Sequence, residues 1–180
     1  DLTAAAGLAT TGPLQLQVAT ELVVLEMLNG RLAEAGWELL ELERAAGEEL
    51  KKRITYLRAW IAFQEGKLLE AGRLLSRLAP FERGHSSPGA LYLMGRIHHG
   101  FGERREAEAF YRMVSGEGLA SALRAAGRQA LGAVLIELGE NTEAVEILKA
   151  PLSRKPPTAQ KLFSRLLHGV ALLGDGRLSS

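Results

Sequence analysis

The sequence predicts an all-α fold built from repeated antiparallel helix pairs. Three observations support this: a glycine recurs at intervals of 36 or 37 residues, a Glu-Ala dipeptide follows each of the first four glycines at the same distance, and apolar residues between them recur at helical spacing. The recurring glycines are Gly30, Gly66, Gly102, Gly139 and Gly176. No stretch has the alternating pattern of a strand.

Each unit is predicted to be a helix, a glycine turn and a second helix. Glycine ends a helix well because it adopts a positive φ at little cost. The alanine five residues after the turn is expected to face the preceding helix, where its small side chain permits close approach. The four alanines are Ala35, Ala71, Ala107 and Ala144. One pair cannot bury its apolar faces alone, so neighbouring pairs must stack.

The predicted organisation is a flexible leader at residues 1–13, a repeat array at 14–176 and a tail at 177–180. The units are expected near residues 14–46, 50–80, 88–116 and 121–150, with a half-unit at 160–176. Because the chain begins with Asp1 rather than Met, we expect an excised piece or a processed product. The absence of cysteine fits cytoplasm and periplasm equally, so the localisation stays open.

Composition excludes several classes of function. The 22 basic and 21 acidic side chains leave a net charge of +1, which argues against direct nucleic-acid binding. The apolar runs are too short to insert into a membrane, and without cysteine there are no disulfides or thiolate metal sites. The abundance of Ala, Leu and Gly, with 16 Arg against 6 Lys, is typical of a GC-rich bacterial genome.

The units resemble the tetratricopeptide repeat. In the third unit the signature places hold Leu91, Met94, Gly95, Gly102, Ala107 and Tyr111, and in the fourth they hold Leu131, Gly132, Gly139, Ala144 and Leu148. In the first two units Val23 and Ala59 replace the small first-helix glycine, and the period exceeds the family's 34 residues. The resemblance implies a right-handed superhelix of about four to five antiparallel helix pairs. Pentatricopeptide repeats and the sensor arms of large bacterial regulators have similar spacing.

The resemblance also implies a concave groove, lined by first helices, that holds a protein or peptide partner. The predicted partner-binding residues are Tyr56, Trp60, Phe63, Tyr92, Arg96, His99 and Gln129. Tyr92, Arg96 and His99 follow at intervals of four and three, so they share one helix face. Aromatic and arginine side chains are enriched in binding hot spots. Trp60 and Phe63 have a second reading, as packing residues between neighbouring units.

No catalytic residue, metal ligand or cofactor is predicted. His98 and His99 are adjacent, so they point about 100° apart on a helix and cannot share an ion. Only His99 and Glu103 have i, i+4 spacing, and two ligands make a weak metal site. His98 falls where the family has an aromatic core residue, so a buried histidine is expected there.

Two functions follow as expectations, and neither is an enzyme. The first is a scaffold that binds a partner peptide or protein in the groove, within a larger bacterial assembly. The alternative is a ligand- or protein-sensing segment of a multidomain bacterial regulator that also carries ATPase and DNA-binding domains. Self-association through the C-terminal half-unit, after Leu162, is compatible with both.

Overall fold

Eight helices account for most of the described chain. The computed structural model describes residues 12–79, 81, 86–116, 121–149, 166–168, 170–172 and 174, and no strand occurs among them. The helices are α1 (Pro13–Leu28), α2 (Leu32–Ala45), α3 (Glu48–Gln64), α4 (Leu68–Ser76), α5 (Pro88–Gly100), α6 (Arg104–Ser115), α7 (Ser121–Glu137) and α8 (Asn141–Lys149). The all-α prediction is confirmed for these residues.

The described residues fall into two compact units, one within residues 1–80 and one within 81–180. In the first unit, α1 packs against α2 and α3 against α4, and α2 also contacts α3. Its core contains Val23, Leu39 and Ile54, all fully buried. In the second unit, α5 packs against α6, α6 against α7 and α7 against α8. Its core is built around Tyr111, Leu131 and Leu135.

The four predicted turn glycines that are described join the helices of each pair. Gly30, Gly66, Gly102 and Gly139 have φ between 77° and 80°, a conformation that L side chains rarely adopt. In the third pair the amide of Gly102 donates to the carbonyl of His99, and the amide of Glu103 donates to the carbonyl of His98. This is the Schellman arrangement, which satisfies the last carbonyls of α5. The same two hydrogen bonds recur at the other three turns.

Small residues lie where the helices of a pair cross. The four predicted alanines, Ala35, Ala71, Ala107 and Ala144, are fully buried. On the opposite helix, a Cβ built on Gly95 would meet the ring of Tyr111, and one on Gly132 would meet Leu148. These contacts explain why a small residue precedes each of these two turns by seven positions.

Some predictions fall wholly or partly outside the described residues. They include the leader up to residue 11, most of the half-unit at 160–176, the turn glycine Gly176 and the tail. Within the part of the chain that is described, no helix is long and apolar enough to span a membrane.

Candidate interaction surfaces

The second unit carries three of the predicted partner-binding residues on one face of α5. We call Tyr92, Arg96 and His99, together with Glu137 of α7, the α5 face. Nη1 of Arg96 donates to the hydroxyl of Tyr92 at 3.4 Å, and the guanidinium lies 5.9 Å from the centroid of that ring. The Tyr92 ring rests on the buried Tyr111, with 5.9 Å between centroids. The three α5 side chains are half-buried, so part of each remains accessible to a partner.

Glu137 connects α7 to both α5 and α6. Its Oε1 lies 2.8 Å from Nε2 of His99, and its Oε2 accepts a hydrogen bond of 2.7 Å from Nε of Arg104 at the start of α6. Because a carboxylate only accepts, Nε2 of His99 carries the proton of this bond. Partial burial alone would raise the pKa of Glu137, but the bonds from His99 and Arg104 outweigh it and hold the pKa below the ordinary 4.5.

Sequence reasoning did not include Glu137, although the sequence held a signal for it. A negative charge at the C-terminal end of a helix interacts unfavourably with the helix dipole. A glutamate two residues before a turn glycine therefore indicates a nearby cation. His99 and Arg104 supply two. The i, i+4 pairing of His99 with Glu103 does not form: Glu103 lies beside His98 instead, with 2.6 Å between Oε2 and Nδ1.

His98 is half-buried rather than fully enclosed. Its ring stacks on Phe110 at 5.3 Å and 15°, which accounts for an aromatic-type residue at this position. No group of three His, Cys, Asp or Glu side chains that could hold a metal occurs in the described segments.

Gln129, the remaining predicted residue of the second unit, lies on α7. Its exposed fraction is 8%, so its side chain offers a partner little surface in this conformation.

The first unit carries the other predicted residues on α3. Nε1 of Trp60 donates to the hydroxyl of Tyr56 at 2.5 Å, and the rings of Trp60 and Phe63 meet edge to face at 5.7 Å. Burial raises the pKa of Tyr56, and the bond from Trp60 opposes that change. Tyr56 and Trp60 both pack against the core of this unit. The three residues are thus brought together, half-buried, as one aromatic cluster.

A different part of the first unit exposes more apolar surface, and sequence reasoning did not single it out. Trp37 on α2 has 70% of its surface exposed, the highest value of any described aromatic residue. It borders a cleft of about 220 Å³ between α2, α3 and α4, which we call the α2–α4 cleft. Trp37 was missed because only first helices were considered as binding surfaces.

Comparison of the chain with protein-family models, with curated proteins and with solved structures found no match.

Proposed function

We propose that this chain is a protein-interaction module, a tetratricopeptide-like array of the right-handed superhelical kind that binds a segment of a partner protein on the faces of its first helices. What supports the repeat assignment is the fourfold recurrence of one local structure. Each of the four pairs has a glycine turn with positive φ, and a fully buried alanine follows it by five residues. Arrays of this kind present extended binding surfaces.

The observation that carries the proposal is the α5 face. Arg96 is hydrogen-bonded to Tyr92, and His99 is hydrogen-bonded to Glu137, so less side-chain freedom is lost when a partner binds. Tyrosine and arginine, together with tryptophan, are enriched among the residues that contribute most binding energy at protein interfaces. Arg96 can donate to a carboxylate or a backbone carbonyl of the partner, while the ring of Tyr92 supplies apolar area.

The charges of the α5 face disfavour one catalytic role for Glu137, that of a general acid. A general acid that works near neutral pH needs a carboxyl group whose pKa is raised. The pKa of Glu137 is lowered, because His99 and Arg104 both stabilise its charged form. The carboxylate therefore orients its neighbours rather than supplying a proton.

The test is capture of partners by a double variant of the α5 face. We expect Tyr92→Ala combined with Arg96→Glu to deplete specific partners, by roughly tenfold or more, in a quantitative pull-down from native lysate. The control is Leu69→Ala combined with Arg73→Glu on α4, which likewise truncates a large side chain and reverses an arginine charge four residues apart on an exposed face. The control should capture the same proteins as the unmodified chain.

Both variants should keep their helical circular dichroism and melt within a few degrees of the unmodified chain. If the α5 variant stays folded and captures every protein that the unmodified chain captures, the proposed binding face is wrong. If it unfolds while the control does not, Tyr92 and Arg96 act in packing and the proposal also fails.

A further inference from the structure

The α2–α4 cleft is a mostly apolar surface that differs from the α3 aromatic cluster. Its α3 wall includes Ile61 and Ala62, whereas Tyr56, Trp60 and Phe63 fall on the opposite side of the same helix. The α2 wall is formed by Ala33, Gly36 and Leu40, with Trp37 at the rim. At about 220 Å³ the cleft is smaller than the roughly 300–1,000 Å³ of small-molecule pockets, and suits one or two side chains.

In the second unit, charged side chains bridge α6 and α8, the helices that correspond to α2 and α4. Counted from the turn glycines Gly30 and Gly102, the α2 positions of Ala33, Gly36 and Leu40 correspond on α6 to Arg105, Glu108 and Arg112. Arg112 reaches α8 through two hydrogen bonds to Glu143, of 2.7 and 3.0 Å. Arg105 reaches Glu140 at 2.6 Å. Ion pairs therefore join α6 to α8 where α2 and α4 leave an apolar cleft.

Glu70 corresponds to Glu143 in the second unit, but it lacks a direct partner equivalent to Arg112. It follows Gly66 by four positions, as Glu143 follows Gly139, and it lines the cleft. The counterpart of Arg112 is Leu40, which has no charge to offer. Among the described residues, the Glu70 carboxylate forms no direct ion pair. Lys67 interacts with it only at longer range and is paired directly with Glu65, and Arg58 is paired with Glu43.

We propose that the α2–α4 cleft binds a segment of another protein that carries one or two apolar side chains and a lysine or arginine. The apolar side chains enter between Ala33, Gly36 and Leu40, and Trp37 closes over them. The cation pairs with Glu70 in the way that Arg112 pairs with Glu143. The bound segment thus supplies the cation that Arg112 supplies within the second unit. This inference does not depend on the function proposed for the α5 face.

The probe is a random dodecapeptide library displayed on phage, selected on the full chain and counter-selected on Leu40→Arg. That variant places an arginine at position 40, as the second unit has at Arg112. The new side chain should fill the cleft and pair with Glu70. We expect peptides that are enriched only on the unmodified chain and that combine apolar residues with a lysine or arginine. Leu40→Arg should unfold in urea at the same midpoint or a higher one.

An enriched peptide, synthesised, then tests the two contacts separately. Glu70→Gln should weaken its binding by roughly tenfold and flatten the salt dependence, because the pair with the peptide's cation is lost. Glu34→Gln is the matched control, since Glu34 holds the same position after Gly30 and lies outside the cleft. In a ¹⁵N NMR titration the indole signal of Trp37 should move and that of Trp60 should stay.

Four results would overturn the inference. Peptides enriched equally on the unmodified chain and on Leu40→Arg would place binding elsewhere. A selection that enriches no peptide would show that the cleft does not bind such segments. If the enriched peptides lack a basic residue and bind Glu70→Gln as well as the unmodified chain, the proposed ion pair with Glu70 is wrong. A dimer in sedimentation that Leu40→Arg dissociates would make a second copy of the chain the occupant. The Tyr92→Ala, Arg96→Glu variant should bind the peptide normally, so the two proposals fail independently.

Discussion

At the scale of single residues, two glycines inside helices, Gly95 and Gly36, have different surroundings. A Cβ on Gly95 would lie 2.5 Å from Cε1 of the fully buried Tyr111, whereas a Cβ on Gly36 would meet nothing within 4 Å. We expect Gly95→Ala to lower the free energy of unfolding by about 1–3 kcal/mol, because the enclosed ring cannot withdraw. We expect Gly36→Ala to raise it by about 0.5–1 kcal/mol through helix propensity.

Urea unfolding of the two glycine variants, followed by circular dichroism, makes this comparison. Equal shifts of the midpoint in the two variants, in either direction, would mean that Gly95 does not lie against a rigid partner helix.

Tyr111 provides a second test at this scale. Its side chain is fully buried, burial raises its pKa, and its hydroxyl has no hydrogen-bond partner in the part of the chain that is described. A buried polar group without a partner costs about 1–3 kcal/mol. Tyr111→Phe should therefore unfold at an unchanged or higher urea concentration. A loss of more than about 1 kcal/mol would show that the hydroxyl is satisfied in solution.

At the scale of elements, α6 and α8 are joined by an ion-pair network that should respond to acid. The two hydrogen bonds from Arg112 lower the pKa of Glu143 below its ordinary 4.5. Burial works in the opposite direction at Glu108, but bonds from Arg112 and Arg105 outweigh it and lower that pKa as well. A lowered folded-state pKa means that the stabilisation is present above about pH 4.5 and is lost as pH falls through the folded-state value.

The acid response can be assigned to one residue with Glu143→Gln. Between about pH 6 and pH 3 the unmodified chain should lose more unfolding free energy than this variant. The side chains of Arg112 and Glu143 are 41% and 42% exposed, so screening should limit the difference to about 1 kcal/mol or less. The difference should shrink further in high salt. Identical losses in the two proteins would show that the pair does not contribute to the acid response.

At the scale of the whole molecule, the sequence was informative wherever a local rule determines the structure. A glycine with positive φ ends a helix regardless of what lies around it, so the turns at Gly30, Gly66, Gly102 and Gly139 could be placed in advance. The fully buried alanines followed from the same repeat. Around one such turn, Pro88–Gly100 ends before Gly102 and Arg104–Ser115 begins after it.

The candidate sites were less predictable because they depend on contacts between distant residues. Glu137 meets His99 from 38 positions away, and Glu103 turned to His98 rather than to the residue four positions before it. At the α2–α4 cleft, Leu40 cannot form the ion pair that Arg112 forms with Glu143 in the other unit. That difference is evident only when the two units are compared. The periodicity of a single helix predicts neither the contacts of Glu137 and Glu103 nor the difference between the two units.

The central claim is that the chain functions by binding a protein segment on the α5 face, and site-specific photo-crosslinking tests it most directly. Tyr92 is replaced by p-benzoylphenylalanine in the full chain, and Leu69, which is 61% exposed on α4, is replaced in a control. After irradiation in native lysate, the chain labelled at position 92 should give discrete crosslinked products that the control lacks. Folded protein that gives no such product, or the same products from both positions, would contradict the account.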